Sequence, residues 1–162
     1  MVSDTRVHAA SSLPALVAER RGWRAERRLV VLTNGCFDLL HSGHVALLES
    51  ARRAGDVLVV ALNADASVRR LKGAGRPIVP AAERAEVLLA LEAVDRVVVY
   101  AEDTPLEVVR ALLPDVLVKG ADWAQDAIVG RAEVERAGGR VARVELLAGR
   151  STSAIIARIR RP

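Results

Sequence analysis

Two histidines three residues apart, His41 and His44, flank Gly43 in the segment Thr33-Asn34-Gly35-Cys36-Phe37-Asp38-Leu39-Leu40-His41-Ser42-Gly43-His44. On the first turn of a helix, side chains at that spacing share a face. Gly43 leaves room between them for a phosphate or a base, and Gly35 lets the backbone turn tightly and a ligand come close. Ser42 or a near neighbour is expected to cap the helix. The N–H groups of a helix start favour an anion, and paired imidazoles beside it can hydrogen-bond a phosphate and stabilise added negative charge. The pattern therefore predicts phosphate chemistry. It does not predict a metal site, because no third His or Cys ligand lies nearby and zinc sites want three or four.

A second signal comes from the basic residues. All but two of the 24 are arginine, and the two lysines, Lys72 and Lys119, each precede a glycine. A compact ammonium and a planar guanidinium are not interchangeable where a phosphate must be approached, so both lysines point to ligand contact. A third signal is Arg150-Ser151-Thr152-Ser153. Hydroxyls at the start of the last helix make another anion site, with one hydroxyl used as an N-cap.

The elements that must position these residues follow from the apolar pattern. Strands are expected over Leu29–Thr33, Asp56–Asn63, Arg96–Tyr100, Val116–Lys119 and Val141–Leu146. Helices are expected over Leu13–Trp23, Ser42–Ala54, Ala82–Ala93, from an N-cap at Thr104 with Pro105 at the first helical position to Leu113, over Ile128–Arg136, and over Ser153–Arg160. Leu71–Pro80 reads as a loop. Strands apolar on both faces, alternating with helices, mean an α/β, Rossmann-like, doubly wound five-stranded parallel sheet with helices on both faces. Ligands in such sheets bind at the carboxyl ends of the strands, where every motif above falls.

Length and composition bound the rest. A chain of 162 residues, 51% hydrophobic and 27% charged, is one ordered domain rather than a disordered segment. It divides into an N-terminal helical extension over 1–28 and an α/β domain over 29–162. The single Cys36 excludes a disulfide framework and any multi-Cys metal centre. No apolar run approaches the ~18 residues that span a bilayer, and arginines interrupt the N-terminal segment where a signal peptide would need an apolar stretch. A cytoplasmic protein without membrane partners is expected. The net charge of +4 could suit nucleic acid, but only 2% of residues are aromatic, leaving few platforms for stacked bases. Small phosphorylated anions use positive charge equally well. The basic run from Arg20 to Arg28 reads as the solvated face of a helix.

The segment through His44 resembles the nucleotidyltransferase superfamily marked by His-x-Gly-His. The wider text is closer to one group. It includes Thr33-Asn34-Gly35-Cys36-Phe37-Asp38, Asn63-Ala64-Asp65, Arg70-Leu71-Lys72-Gly73, Arg76-Pro77, Glu83-Arg84, Glu102-Asp103-Thr104-Pro105, Pro114 through Gly120, and Ser151-Thr152. It resembles the D-glycero-β-D-manno-heptose 1-phosphate adenylyltransferase family, from about Leu29 to the C-terminus, in its stand-alone form rather than fused to a sugar kinase.

The resemblance implies transfer of an adenylyl group from ATP, with Mg²⁺ carried by the nucleotide, to heptose 1-phosphate, giving ADP-heptose and pyrophosphate. It implies catalytic roles for His41, His44 and Lys72. Thr33, Asn34, Gly35 and Phe37 would line the nucleotide site, joined by Lys119, Gly120 and Asp122, which can accept a hydrogen bond from base or ribose, and by Ser151, Thr152 and Ser153. Asp38, Asn63 and Arg84 would bind the acceptor, Arg84 through its phosphate. Ala121 and Trp123 depart from the family's usual glycine and tyrosine, which bears on base selectivity. Related enzymes are often dimers, so a homodimer is a further expectation. Two rival readings are a cytidylyltransferase acting on glycerol 3-phosphate or a similar alcohol phosphate, and a non-catalytic nucleotide- or nucleic-acid-binding protein.

Overall fold

Valine, leucine and alanine fill the strands so densely that both faces of the sheet must be covered. In the computed structural model, which describes residues 9–160, they are. Strands β1 (Val30–Gly35), β2 (Val57–Asn63), β3 (Arg96–Tyr100), β4 (Val116–Gly120) and β5 (Arg140–Val144) form one sheet in the order β3-β2-β1-β4-β5. All neighbours are parallel, with Val31 opposite Leu58 on one side and Val116 on the other. The helices are α1 (Leu13–Ala25), α2 (Ser42–Arg52), α3 (Asp65–Lys72), α4 (Ala81–Leu89), α5 (Leu106–Leu112), α6 (Arg131–Arg136) and α7 (Thr152–Ile159).

Alternation along the strands divides the core in two. Val30, Leu32, Val57 and Val59 face Leu16 and Trp23 of α1, Val109 and Leu112 of α5 and Val134 of α6. Val31, Leu58, Val60 and Leu62 face Leu48 and Ala51 of α2 and Ala85 and Leu88 of α4. This is the doubly wound α/β sheet that the sequence implies.

Aspartates fix the register at the strand starts. Asp56, Asp95 and Asp115 each stand just before a strand, and their carboxylates accept the N–H groups of Leu29, Leu58 and Val30 at 2.8, 2.7 and 2.7 Å. Each thereby ties the entrance of its own strand to that of the neighbour. Asp115 also holds Arg20 of α1, whose guanidinium donates to Asp115 and to the carbonyls of Leu112 and Leu113.

After β3 the chain crosses back to lay β4 beside β1, so winding direction reverses between those two strands. In open α/β sheets the loops leaving the carboxyl ends at such a reversal diverge and form a crevice.

Several expectations shift. The segment after Asn63 forms α3, so Lys72 is the last residue of a helix rather than part of the Leu71–Pro80 loop. The fourth expected helix starts at Leu106, with Pro105 and not Thr104 at the cap. The helix expected over Ala82–Ala93 stops at Leu89, and that over Ile128–Arg136 begins at Arg131. Arg20 is buried, an exception to the solvated face expected for Arg20–Arg28. From Leu13 onward the N-terminal extension shares the core of the sheet; residues 1–8 and 161–162 of the two expected domains lie outside the described residues.

Candidate active site

His41 caps α2 with its own ring: Nδ1 accepts the Gly43 N–H at 3.1 Å. Ser42 is the first helical residue, and the cap falls to its neighbour His41, within the expectation for Ser42 or a near neighbour. The bond fixes the tautomer, since Nδ1 is an acceptor and the proton of the neutral ring sits on Nε2. The His44 ring stacks on it with centroids 3.9 Å apart and 23° between planes, and Phe37 packs at 5.3 Å on His44. Gly43 is required by this arrangement. A Cβ there would lie 2.9 Å from His41 Cε1 and 3.0 Å from Arg150 Cβ.

Burial and the neighbouring ring push His44 down to about 4, against a smaller upward pull from Asp38. Burial and the Arg150 charge lower His41 as well. The pair is thus a neutral donor and acceptor array rather than a doubly charged one. Three buried polar atoms here have no partner among the described residues: Thr33 Oγ1, Asn34 Oδ1 and His44 Nδ1. An unpaired buried polar atom costs about 1–3 kcal/mol, and all three lie between the end of β1 and the first turn of α2. The loop joining those elements is strained, with Phe37 and Leu39 at φ 44° and 52°. Asn34 is aimed by its amide, which donates to the Tyr100 hydroxyl at 3.2 Å.

Lys119 is the penultimate residue of β4, with its Nζ 5.1 Å from the centroid of the Trp123 ring. Burial lowers its ammonium to about 8, opposed by Asp122 and Cys36. The Asp122 carboxylate folds back over Gly120, where a Cβ would meet Oδ1 at 2.6 Å. Lys72 is exposed at the end of α3, and its charge reaches Cys36. Burial raises the Cys36 thiol above its ordinary range, with Lys72, Arg84 and Arg76 pulling the other way. A thiol so placed is not an activated nucleophile.

Other expected site residues are engaged within the chain. Burial pushes the Asp38 carboxyl up, but the Ile78 and Val79 amides and Arg76 outweigh it and hold it below its ordinary range. Its oxygens accept Arg76 Nε at 2.6 Å, Ile78 N at 2.8 Å and Val79 N at 3.0 Å. Arg84 is buried, and its guanidinium donates to the carbonyls of Val79, Cys36 and Asn63 and to Asp65. It ties the ends of β1 and β2 to α3 from beneath the crevice. Asn63 donates to Ser67 at 2.9 Å, anchoring the first turn of α3. Ser151 caps α7, and Thr152 Oγ1 donates to the Asp38 carbonyl at 2.6 Å. Arg76, Tyr100 and Arg150 stand at the site without an expected role. Arg76-Pro77 and Arg150 stand in the quoted motifs, whereas nothing in the sequence pairs Tyr100 with Asn34.

Among the described residues, no three His, Cys, Asp or Glu side chains group to hold a metal ion. The Asp38 carboxylate is filled by three donors.

The chain is 59% identical over 149 residues to the bifunctional protein HldE of Acidiphilium cryptum, covering 90% of this chain and 30% of that protein. It is 56% identical over 151 residues to the bifunctional protein HldE of Mesorhizobium japonicum, covering 93% and 30%. The chain thus spans about three tenths of the length of these curated relatives. The crystal structure of the lipopolysaccharide core biosynthesis protein from Thermoplasma volcanium superposes with a TM-score of 0.61 at 28% identity, covering 74% of this chain and 97% of that one. The cytidylyltransferase-like profile matches residues 32–158, from β1 through α7, and the chain belongs to that family.

Proposed function

We propose that the chain transfers an adenylyl group from Mg²⁺-bound ATP to D-glycero-D-manno-heptose 1-phosphate, releasing pyrophosphate. The observation that carries the reaction type is the stacked His41–His44 pair on the first turn of α2, at the crevice between β1 and β4. The substrate assignment rests on the motif resemblance, on relatives named HldE, and on a structural neighbour titled as a lipopolysaccharide core biosynthesis protein.

A sugar phosphate oxygen attacks the α-phosphorus. The bond from that phosphorus to the bridging oxygen breaks, and its electron pair leaves with pyrophosphate. No covalent enzyme intermediate is needed, so positioning and charge stabilisation do the work. His41, through Nε2–H, and His44 donate to phosphate oxygens. Thr33 and Asn34 supply polar atoms that are otherwise unpaired. Lys119, Gly120 and Asp122 flank the nucleoside. Lys72 reaches the phosphates from α3, and Ser153 has the hydroxyl of the α7 start that is not already engaged. Asp38, Arg84 and Asn63 act through the backbone they hold around the acceptor. Magnesium on the nucleotide offsets phosphate charge.

Pyrophosphate release should appear with ATP and heptose 1-phosphate. In the same assay His44→Ala should lose ~10²–10³ of the rate, the scale of one preorganised donor, while its circular dichroism stays that of the wild type. Turnover with CTP and glycerol 3-phosphate but none with ATP and heptose 1-phosphate overturns the assignment.

A further inference from the structure

We infer that Arg150 is the fixed cation of the histidine side of the crevice, binding the triphosphate and holding the pyrophosphate as it departs. The inference deepens the transfer reaction proposed above and rests on it. The position of Arg150 is set by close packing. Its Cβ lies 3.0 Å from the place a Gly43 Cβ would take, and that same place is 2.9 Å from His41 Cε1. The arginine therefore starts against the turn that carries both imidazoles. It stands one residue before the Ser151 cap of α7, and its charge is felt at His41.

Its guanidinium also has no hydrogen-bond partner among the described residues. Among the described residues no carboxylate lies within ion-pair distance of it, whereas Arg76, Arg84 and Arg70 are paired with Asp38, Asp65 and Asp103. Exposed surface arginines without partners are common. Here the distinguishing feature is what stands next to it. The two imidazoles are neutral near pH 7 and bring hydrogen bonds but no charge. Lys72 acts on Cys36, just past the end of β1, and Lys119 in turn feels Cys36 and Asp122. Lys72 approaches the phosphates from α3, whereas Arg150 is the cation packed against the histidine turn itself.

During transfer, the new oxygen–phosphorus bond forms as the bridging bond breaks, and negative charge moves onto pyrophosphate. A guanidinium keeps its proton at any working pH and its fork matches two phosphate oxygens. Arg150 is suited to take up charge as it develops on the leaving group.

Calorimetric titration of inorganic pyrophosphate into the wild type, Arg150→Gln, Arg150→Lys and Arg158→Gln tests this directly. Arg158 is an exposed arginine in the last turn of α7 and controls for net charge. Arg150→Gln should weaken pyrophosphate binding on the order of 10–100-fold, the scale of charge-assisted hydrogen bonds. Arg150→Lys should fall between, and Arg158→Gln should match the wild type. Unchanged affinity in Arg150→Gln, equal loss in Arg158→Gln, or no pyrophosphate binding by the wild type overturns the inference. The titration needs no turnover. A wild type that binds pyrophosphate through Arg150 but transfers no nucleotide would sink the proposed reaction and leave the role of Arg150 standing.

Discussion

His44 keeps a neutral imidazole against Phe37 and His41, pushed down to about 4 from an ordinary 6.5. That displacement has a consequence for stability, with a definite sign. Above pH 6.5 the ring is uncharged in both folded and unfolded chains. As pH falls from 6.5 toward 4, the unfolded chain takes up a proton that the folded one does not, so stability falls. Below about 4 both bind it and the dependence ends. Urea unfolding across this window should show a steeper loss for the wild type than for His44→Gln; equal slopes would mean that the ring is not held neutral. At this scale the sequence was informative where function depends on local spacing. The His-x-Gly-His turn, the lysine–glycine pairs and the lone cysteine are all local. It was silent on Arg84 and Asp38 as clasps, because their partners are mostly backbone groups brought close only by folding. A buried arginine whose acceptors are the carbonyls of Cys36, Asn63 and Val79 has no signature in residue types.

The start of α2 shows how an element converts spacing into geometry. Gly43 occupies a helical position where alanine would ordinarily add about 1 kcal/mol of helix propensity. A methyl there meets the His41 ring at 2.9 Å and Arg150 Cβ at 3.0 Å, and the ring, being the movable part, must give. Gly43→Ala should therefore cost at least ~10-fold in kcat, since misplacing a catalytic group by about 1 Å can cost 10²-fold. Its thermal midpoint should stay near that of the wild type. A variant that loses both fold and rate, or neither, would show that Gly43 does not serve to seat His41. All five strands were legible because continuous apolar runs bounded by turns leave few alternatives. Helix α3 was not. Asp65–Lys72 buries only Ser67 and Val68, too narrow an apolar face to show a period. It is held instead by Asn63 through Ser67 and by Arg70 through the Ala101 carbonyl and Asp103.

At the scale of the whole molecule, α1 closes one face of the sheet, and one ionic contact decides whether it does so as an integral part. Arg20 is 5% exposed and donates to Leu112 O, Leu113 O and Asp115. Asp115 also accepts the first amide of β1, so it joins α1, the α5–β4 turn and the central strand at one point. The two partners are not equivalent. The Asp115 side chain is 32% exposed against 7% for Arg20, so a lone aspartate can still be hydrated, whereas Arg20 without it stays buried and charged with only two carbonyl acceptors. Removing one partner of a buried pair costs about 3–5 kcal/mol. Asp115→Ala should approach that range and Arg20→Met should cost less. The two tryptophans make the experiment clean: Trp23 is core-packed on α1 at 8% exposure, and Trp123 lies open at the crevice at 47%. In a Trp123→Phe background, Trp23 fluorescence and far-ultraviolet dichroism should lose signal in one shared urea transition. Asp115→Ala should move both midpoints down together. If Trp23 instead reports an earlier transition than the dichroism, α1 is a separable extension and the ion pair fastens a flap rather than completing the core.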